Sequence, residues 1–133
     1  MTTAIVALRV RPTRFTVRSR SPHQVRIALS SNVPEALLRP VVAYFNPRRI
    51  ILFGSAARGA AGPDSDYDLI VVLDDDAPPE KLTLSAGYES RRSYHRAADV
   101  IPCRESVFRR KSQVPGSLAH SAATEGVVVY ERG

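Results

Sequence analysis

Tryptophan is absent from this chain, and cysteine and methionine occur once each in its 133 residues. A single cysteine, Cys103, excludes an intrachain disulfide and any metal site built on clustered thiolates. It is in keeping with a reducing compartment. No apolar run approaches the roughly 18–20 residues of a membrane span. The apolar stretch Ala4 to Leu8 is short and is followed by arginine, unlike a secretory signal. A cytoplasmic protein without membrane association is therefore expected. Acidic residues are missing from residues 1–30, which hold six arginines: Arg9, Arg11, Arg14, Arg18, Arg20 and Arg26. Beyond them, thirteen basic residues balance thirteen acidic ones, so the net charge of +6 lies wholly in this segment. Direct nucleic-acid binding would call for basic residues on a folded face as well, and the charge distribution argues against it. Residues 1–30 read as a basic, disordered extension and residues 31–133 as one domain. The competing readings of the extension are an electrostatic arm, a transit peptide and an edge strand at Ile5 to Val10 or Val25 to Leu29.

The chain is 44% hydrophobic, enough for one core. Ser31 to Phe45 has helical spacing at Val33, Leu37, Leu38, Val41, Val42 and Phe45, with Asn32 and Glu35 at capping-box positions and Pro34 in the first turn. Pro40 removes a backbone bond to Ala36 and predicts a kink, and Asn46-Pro47 ends the helix. Ile50 to Phe53 reads as a buried strand and Tyr67 to Leu73 as another. The connection between them is too short for a parallel crossover, so the two should be antiparallel neighbours. Pro79 to about Arg96 reads as a helix weakened by Gly87, and Ala98 to Pro102 as a short strand. Glu105 to Lys111 and Ser117 to Glu125 read as helices, the latter stopped by Gly126. Val127 to Tyr130 reads as a last strand or an extended tail. The predicted fold is α/β in the broad sense (α+β): a small mixed β-sheet flanked by helices.

Chemistry concentrates between the first two apolar strands. Gly54-Ser55 ends one, and Asp66-Tyr67-Asp68 opens the next. Side chains two apart on a strand share a face, so Asp66 and Asp68 can reach one site, with Tyr67 turned away. Hard carboxylate oxygens suit magnesium, and the repulsion between two close carboxylates is relieved by a cation. A glycine admits a phosphate close to the backbone, and Ser55 adds a hydroxyl donor. Arg58 is either a phosphate-binding cation or the partner of Asp64 or Asp66. Gly54, Ser55, Arg58 and Ser65 are thus the candidate nucleotide contacts. Asp99, a charge placed in an otherwise apolar strand, is the candidate third carboxylate. Asp74, Asp75 and Asp76 read as a solvated turn. His23, His95 and His120 share no ligand spacing, and Cys103 has no histidine placed to activate it.

Gly-Ser, ten residues, then Asp-x-Asp between apolar strands resembles the signature of the DNA polymerase beta-like nucleotidyltransferases. The flanks Asn46-Pro-Arg-Arg-Ile-Ile-Leu-Phe and Ala57-Arg-Gly, and the end from Pro115-Gly-Ser-Leu to Glu125-Gly-Val-Val-Val-Tyr, resemble the minimal nucleotidyltransferase branch. The resemblance implies that Gly54 and Ser55 contact nucleotide phosphates. It also implies that Asp66 and Asp68, with Asp99 more loosely, bind two Mg2+ ions and are the catalytic carboxylates. The implied reaction moves AMP from ATP to an acceptor hydroxyl. In that branch the small protein is commonly the antitoxin of a HEPN-type toxin, and some members attach AMP to a tyrosine of that partner, which is the acceptor the resemblance implies. A small-molecule or RNA acceptor, and an antitoxin acting by contact alone, are the alternatives.

Overall fold

The structure is a computed structural model, and it describes residues 25–27, 33–54, 56–57 and 66–132. A five-stranded sheet forms the centre, built from β1 (Val25–Ile27), β2 (Arg49–Phe53), β3 (Tyr67–Leu73), β4 (Ala98–Arg104) and β5 (Val127–Arg132), in the order β1-β5-β2-β3-β4. Strands β2 and β3 are antiparallel neighbours, as the short connection requires. Strand β4 lies parallel to β3. A crossover consisting of a 3-10 turn (Pro79–Leu82) and helix α2 (Leu84–Ser90) makes that possible. The mixed, helix-flanked sheet is the fold class expected. Helices α1 (Glu35–Phe45), α3 (Glu105–Lys111) and α4 (Leu118–Glu125) complete it.

Alternation along the strands divides the core in two. Ile50 and Leu52 of β2 join Tyr67, Leu69, Val71 and Leu73 of β3 on one face, beneath α1 and α2. Ile51 and Phe53 join Ile70 and Val72 on the other, against Phe108 of α3 and Ala119 and Ala122 of α4. This is the two-residue period of a strand buried on both faces. Strand β5 breaks the rhythm once. Its register against β2 passes from Tyr130 opposite Ile50 to Val128 opposite Ile51, leaving Val129 as the extra residue of a bulge. Consequently Val129 and Tyr130 are both buried in the first core.

Several local expectations change. Helix α1 begins at Glu35 with Pro34 as its cap, which offers no side-chain acceptor, and Asn32 of the expected capping box lies outside the described residues. The carbonyl of Pro34 instead accepts from the amides of Leu37 and Leu38. Pro40 is accommodated inside α1, whose buried residues Leu37, Leu38, Val41 and Phe45 hold it on the sheet. The helix ends at Asn46 in the left-handed conformation, φ 46°. The single helix expected from Pro79 to about Arg96 is two pieces. Thr83 is extended between them and accepts from the amide of Ala86, 3.0 Å, capping α2. Helix α4 stops at Gly126 in extended geometry, where a Cβ would meet the Ala122 carbonyl oxygen at 2.4 Å and Ile51 Cγ2 at 2.6 Å. That stop is steric and involves no left-handed cap. The last strand is a sheet interior, paired on both sides. Strand β1 falls within the segment read as an extension, and its backbone pairs with β5, so a boundary at residue 31 cuts one strand from the sheet.

The acidic turn after β3 is engaged with the fold as well as with solvent. Asp74 accepts from Arg48 at 3.0 Å and from Arg132 at 2.8 Å. Hydrogen bonds from Arg132 and Arg48, against a smaller opposing effect of burial, hold its carboxyl below the usual range. Asp75 accepts from the Ser106 amide at 2.8 Å, supplying the first turn of α3 with the acceptor that its own cap, Arg104, lacks. Among the described residues no helix is long and apolar enough to cross a membrane.

Gly87, which sequence propensity marks as a weakness, is a packing requirement. A Cβ there would lie 2.0 Å from the Val100 carbonyl oxygen of β4. Helix α2 thereby lies against the outer strand of the sheet at the closest approach a backbone allows. Replacement G87A is expected to destabilise the protein by about 1–3 kcal/mol or more through overpacking, in spite of alanine's better helix propensity. Urea unfolding of the two proteins measures it, and an unchanged midpoint would refute the close packing.

Candidate active site

Register fixes the site before any side chain is considered. Phe53 at the end of β2 stands opposite Asp68 of β3, and Asp68 stands beside Asp99 of β4. Paired residues on neighbouring strands present their side chains to one face. Asp68 and Asp99 therefore share the face of the second core, just beyond Ile70 and Ile101. Tyr67 is buried in the first core, on the opposite face, as the alternation predicts.

Immediately after Phe53 the chain turns at Gly54, with φ +80°, a conformation that L side chains rarely adopt. A Cβ at this position would lie 2.7 Å from Asp68 Oδ2. The turn is closed by the amide of Ala57 donating to the Gly54 carbonyl, 3.1 Å. Gly54 thus serves the site twice: it takes a backbone shape closed to other residues, and it leaves the space the Asp68 carboxyl occupies. Ser55, Arg58 and Ser65 lie outside the described residues.

Electrostatics mark Asp68 as the centre of the group. Burial pushes its pKa above the ordinary carboxylate value, and the charges of Asp99 and Asp66 and a hydrogen bond with Asp99 push it the same way. No described cation relieves this strain in the way that Arg48 and Arg132 relieve Asp74. Asp66 and Asp99 are exposed, and Asp68 is half-buried. The exposure of Asp99 removes the premise that its charge is costly where it stands; strand pairing with Asp68, not burial, distinguishes it. Among the described residues, no group of three or more His, Cys, Asp or Glu side chains is arranged to hold a metal ion as it stands. The carboxylates are near enough to repel one another without being closed around a cation. Hard oxygen donors and their mutual repulsion nonetheless fit a divalent cation such as magnesium.

The remaining sequence candidates lie elsewhere. His95 is exposed, and His120 Nδ1 lies 3.0 Å from the Ser112 carbonyl oxygen in the α3–α4 connection. His23 lies outside the described residues. Burial, and then the Glu105 charge, push the Cys103 thiol up to about 11. Glu105 itself is ion-paired with Arg49 at 2.9 Å and with Arg109 at 3.0 Å, at the other end of β4 from Asp99.

Comparison with known proteins agrees with the fold. The family model described as Polymerase beta, Nucleotidyltransferase matches residues 37–133. A solved structure described as a toxin–antitoxin with AMP-PNP resembles the chain with a TM-score of 0.50, at 18% sequence identity, covering 74% of each chain. No curated protein matches.

Two outcomes test the electrostatics. Asp68 binds its proton more tightly in the folded than in the unfolded chain. Its contribution to stability is therefore full below the ordinary carboxylate pKa and is lost as pH rises through the raised value. In metal-free buffer at about pH 7, D68N should melt above the natural protein, and the gap should close toward about pH 4. A lower melting temperature for D68N at neutral pH would contradict the assigned repulsion. Separately, with a pKa of about 11, only about one Cys103 thiol in a thousand is ionised at pH 8. Iodoacetamide should modify it about two orders of magnitude more slowly than free cysteine. Labelling at the rate of free cysteine would show the thiol to be solvated.

Proposed function

This chain belongs to the polymerase beta nucleotidyltransferase family, and we propose that it transfers AMP from ATP to a hydroxyl of a partner protein. The observation that carries the proposal is the Asp68–Asp99 pair on adjacent strands beside the Gly54 turn. Asp66, Asp68 and Asp99 are the residues assigned to hold magnesium. When bound, the metal neutralises phosphate charge and lowers the pKa of the acceptor hydroxyl.

The chain's own groups account for the rest of the assignment. Gly54, without a side chain, leaves backbone free for a phosphate to approach, and Ser55, Arg58 and Ser65 are assigned to the same triphosphate. The acceptor oxygen attacks the α-phosphorus, the bond to the bridging oxygen of the β-phosphate breaks, and pyrophosphate leaves. The acceptor's proton passes to a carboxylate or to solvent. Asp68, whose ionised form is disfavoured by its burial and by Asp99 and Asp66, is suited to gain from a cation at this position.

We assign the acceptor to a partner protein. The toxin–antitoxin description of the similar structure supports a partner of that kind, and AMP-PNP in it supports an adenine nucleotide as donor. We assign the partner to the HEPN type and the acceptor to one of its tyrosines. A small-molecule or RNA acceptor uses the same carboxylates, whereas neutralisation of a partner by contact alone uses none of them.

Incubation with labelled ATP, magnesium and the purified product of the adjacent gene tests the proposal. Label should pass to that protein, and mass spectrometry should place one AMP on a hydroxyl. D66N and D68N should each lower the rate by at least about a thousandfold while leaving the protein folded. Full transfer by either variant would refute the assigned site. Neutralisation of the partner that persists in both variants would establish action by contact.

A further inference from the structure

Helix α2 turns one face to the sheet and leaves the other bare. Ala86, Gly87 and Ser90 are buried, with Gly87 against Val100 of β4. On the opposite side stand Leu84, 72% exposed, and Tyr88, 61% exposed, the most exposed large hydrophobic side chains among the described residues. They are four residues apart on a helix and so form one ridge. The Arg91 guanidinium lies 5.3 Å from the Tyr88 ring centroid, and Arg92 Nη1 lies 3.2 Å from the Glu89 carboxylate. From Leu84 to Ala97 there are three arginines against one glutamate. The chain then enters β4 and reaches Asp99 one residue after Ala98. An apolar ridge with a basic rim therefore lies at the β4 edge of the sheet, over the first core and on the opposite face from the Asp68 and Asp99 side chains.

We infer that this face of α2 is the docking surface for the partner protein and that it receives an amphipathic helix with an apolar stripe and acidic flanks. The inference rests on the proposed transfer to a protein acceptor and deepens it. Complementarity selects the occupant. Two leucine- and tyrosine-sized side chains at helical spacing offer an anchor for helix-on-helix packing, and exposed tyrosine beside arginine is the composition of an interface centre. The arginine rim selects acidic flanks. A second copy of this chain would bring the same arginines face to face, and a nucleic acid would leave the Leu84–Tyr88 ridge without an apolar partner. Position matters as much as composition. A partner seated along α2 lies at the β4 edge of the described sheet, and a segment of it that passes that edge reaches the face on which Asp99 stands.

The probe is the purified product of the adjacent gene, its affinity measured by calorimetry without nucleotide. The double variant L84A/Y88A should weaken binding at least tenfold, and R92E should weaken it severalfold, most clearly at low salt. Both substitutions are on the surface, so melting temperatures should match the natural protein. D68N should bind as the natural protein does. Unchanged affinity in L84A/Y88A would overturn the inference. So would a natural protein that fails to bind this probe, or one whose self-association the double variant abolishes. Binding that depends on Leu84 and Tyr88 without any transfer of AMP would uphold the docking surface and defeat the proposed reaction.

Discussion

The row of paired residues Phe53, Asp68 and Asp99 across β2, β3 and β4 is the constraint on which the site depends. A slip of one residue in either pairing would turn a carboxylate to the other face of the sheet. Two cores hold that register. Ile50 and Leu52 with Leu69 and Val71 lock one face, and Ile51 and Phe53 with Ile70 and Val72 lock the other. With both faces apolar, the fit of side-chain shapes, not an alternation of polarity, selects the register. The carboxylates are thus placed by residues that take no part in chemistry.

That placement opposes electrostatics. Asp68 is set beside two other carboxylates and is held partly away from water, so its charge is disfavoured. The contrast with Asp74 is instructive. Both aspartates flank β3, but Asp74 lies between Arg48 and Arg132 and ionises more readily than usual. One end of the strand has satisfied charges that tie β5, β2 and β3 together. The other has unsatisfied ones at the Gly54 turn. Charge without a described counter-ion is what the candidate site has and the Asp74 end lacks.

Legibility in the sequence followed the range of the forces involved. Strands β2 and β3, their antiparallel pairing and α3 were readable because apolar runs and a short connection are local signals. The wider role of β5 was not, since nothing within Val127–Arg132 says that it will be paired on both sides. Thr83 looked like an ordinary helix position, yet its side chain caps α2 and divides the segment. Gly87 was misread because its value lies in its contact with Val100 of β4, whereas Gly126 stops α4 as expected and also lies against Ile51 and Leu52. Asp99 was found through an apolar context that suggested burial, whereas its importance comes from the strand beside it. Asp66 and Asp68 were legible because their relation is purely local, two residues along one strand.

The close contact at Gly87 links the fold to the active-site end. Because α2 lies against β4 without an intervening Cβ, the helix and the strand that carries Asp99 have little freedom to move apart. Any load on the outer face of α2 is therefore transmitted to β4 through backbone contact, without flexible side chains between. Ligand binding that relieves the repulsion at Asp68 stabilises the same strand pair from the other side. The two effects act on one element, β4, whose one sheet neighbour among the described residues is β3. An outer strand with a single sheet neighbour is the element whose position neighbouring groups can most readily bias. Placing the candidate third carboxylate there makes the geometry of the site sensitive to what lies against α2, whereas Asp68, on a strand paired on both sides, keeps its place.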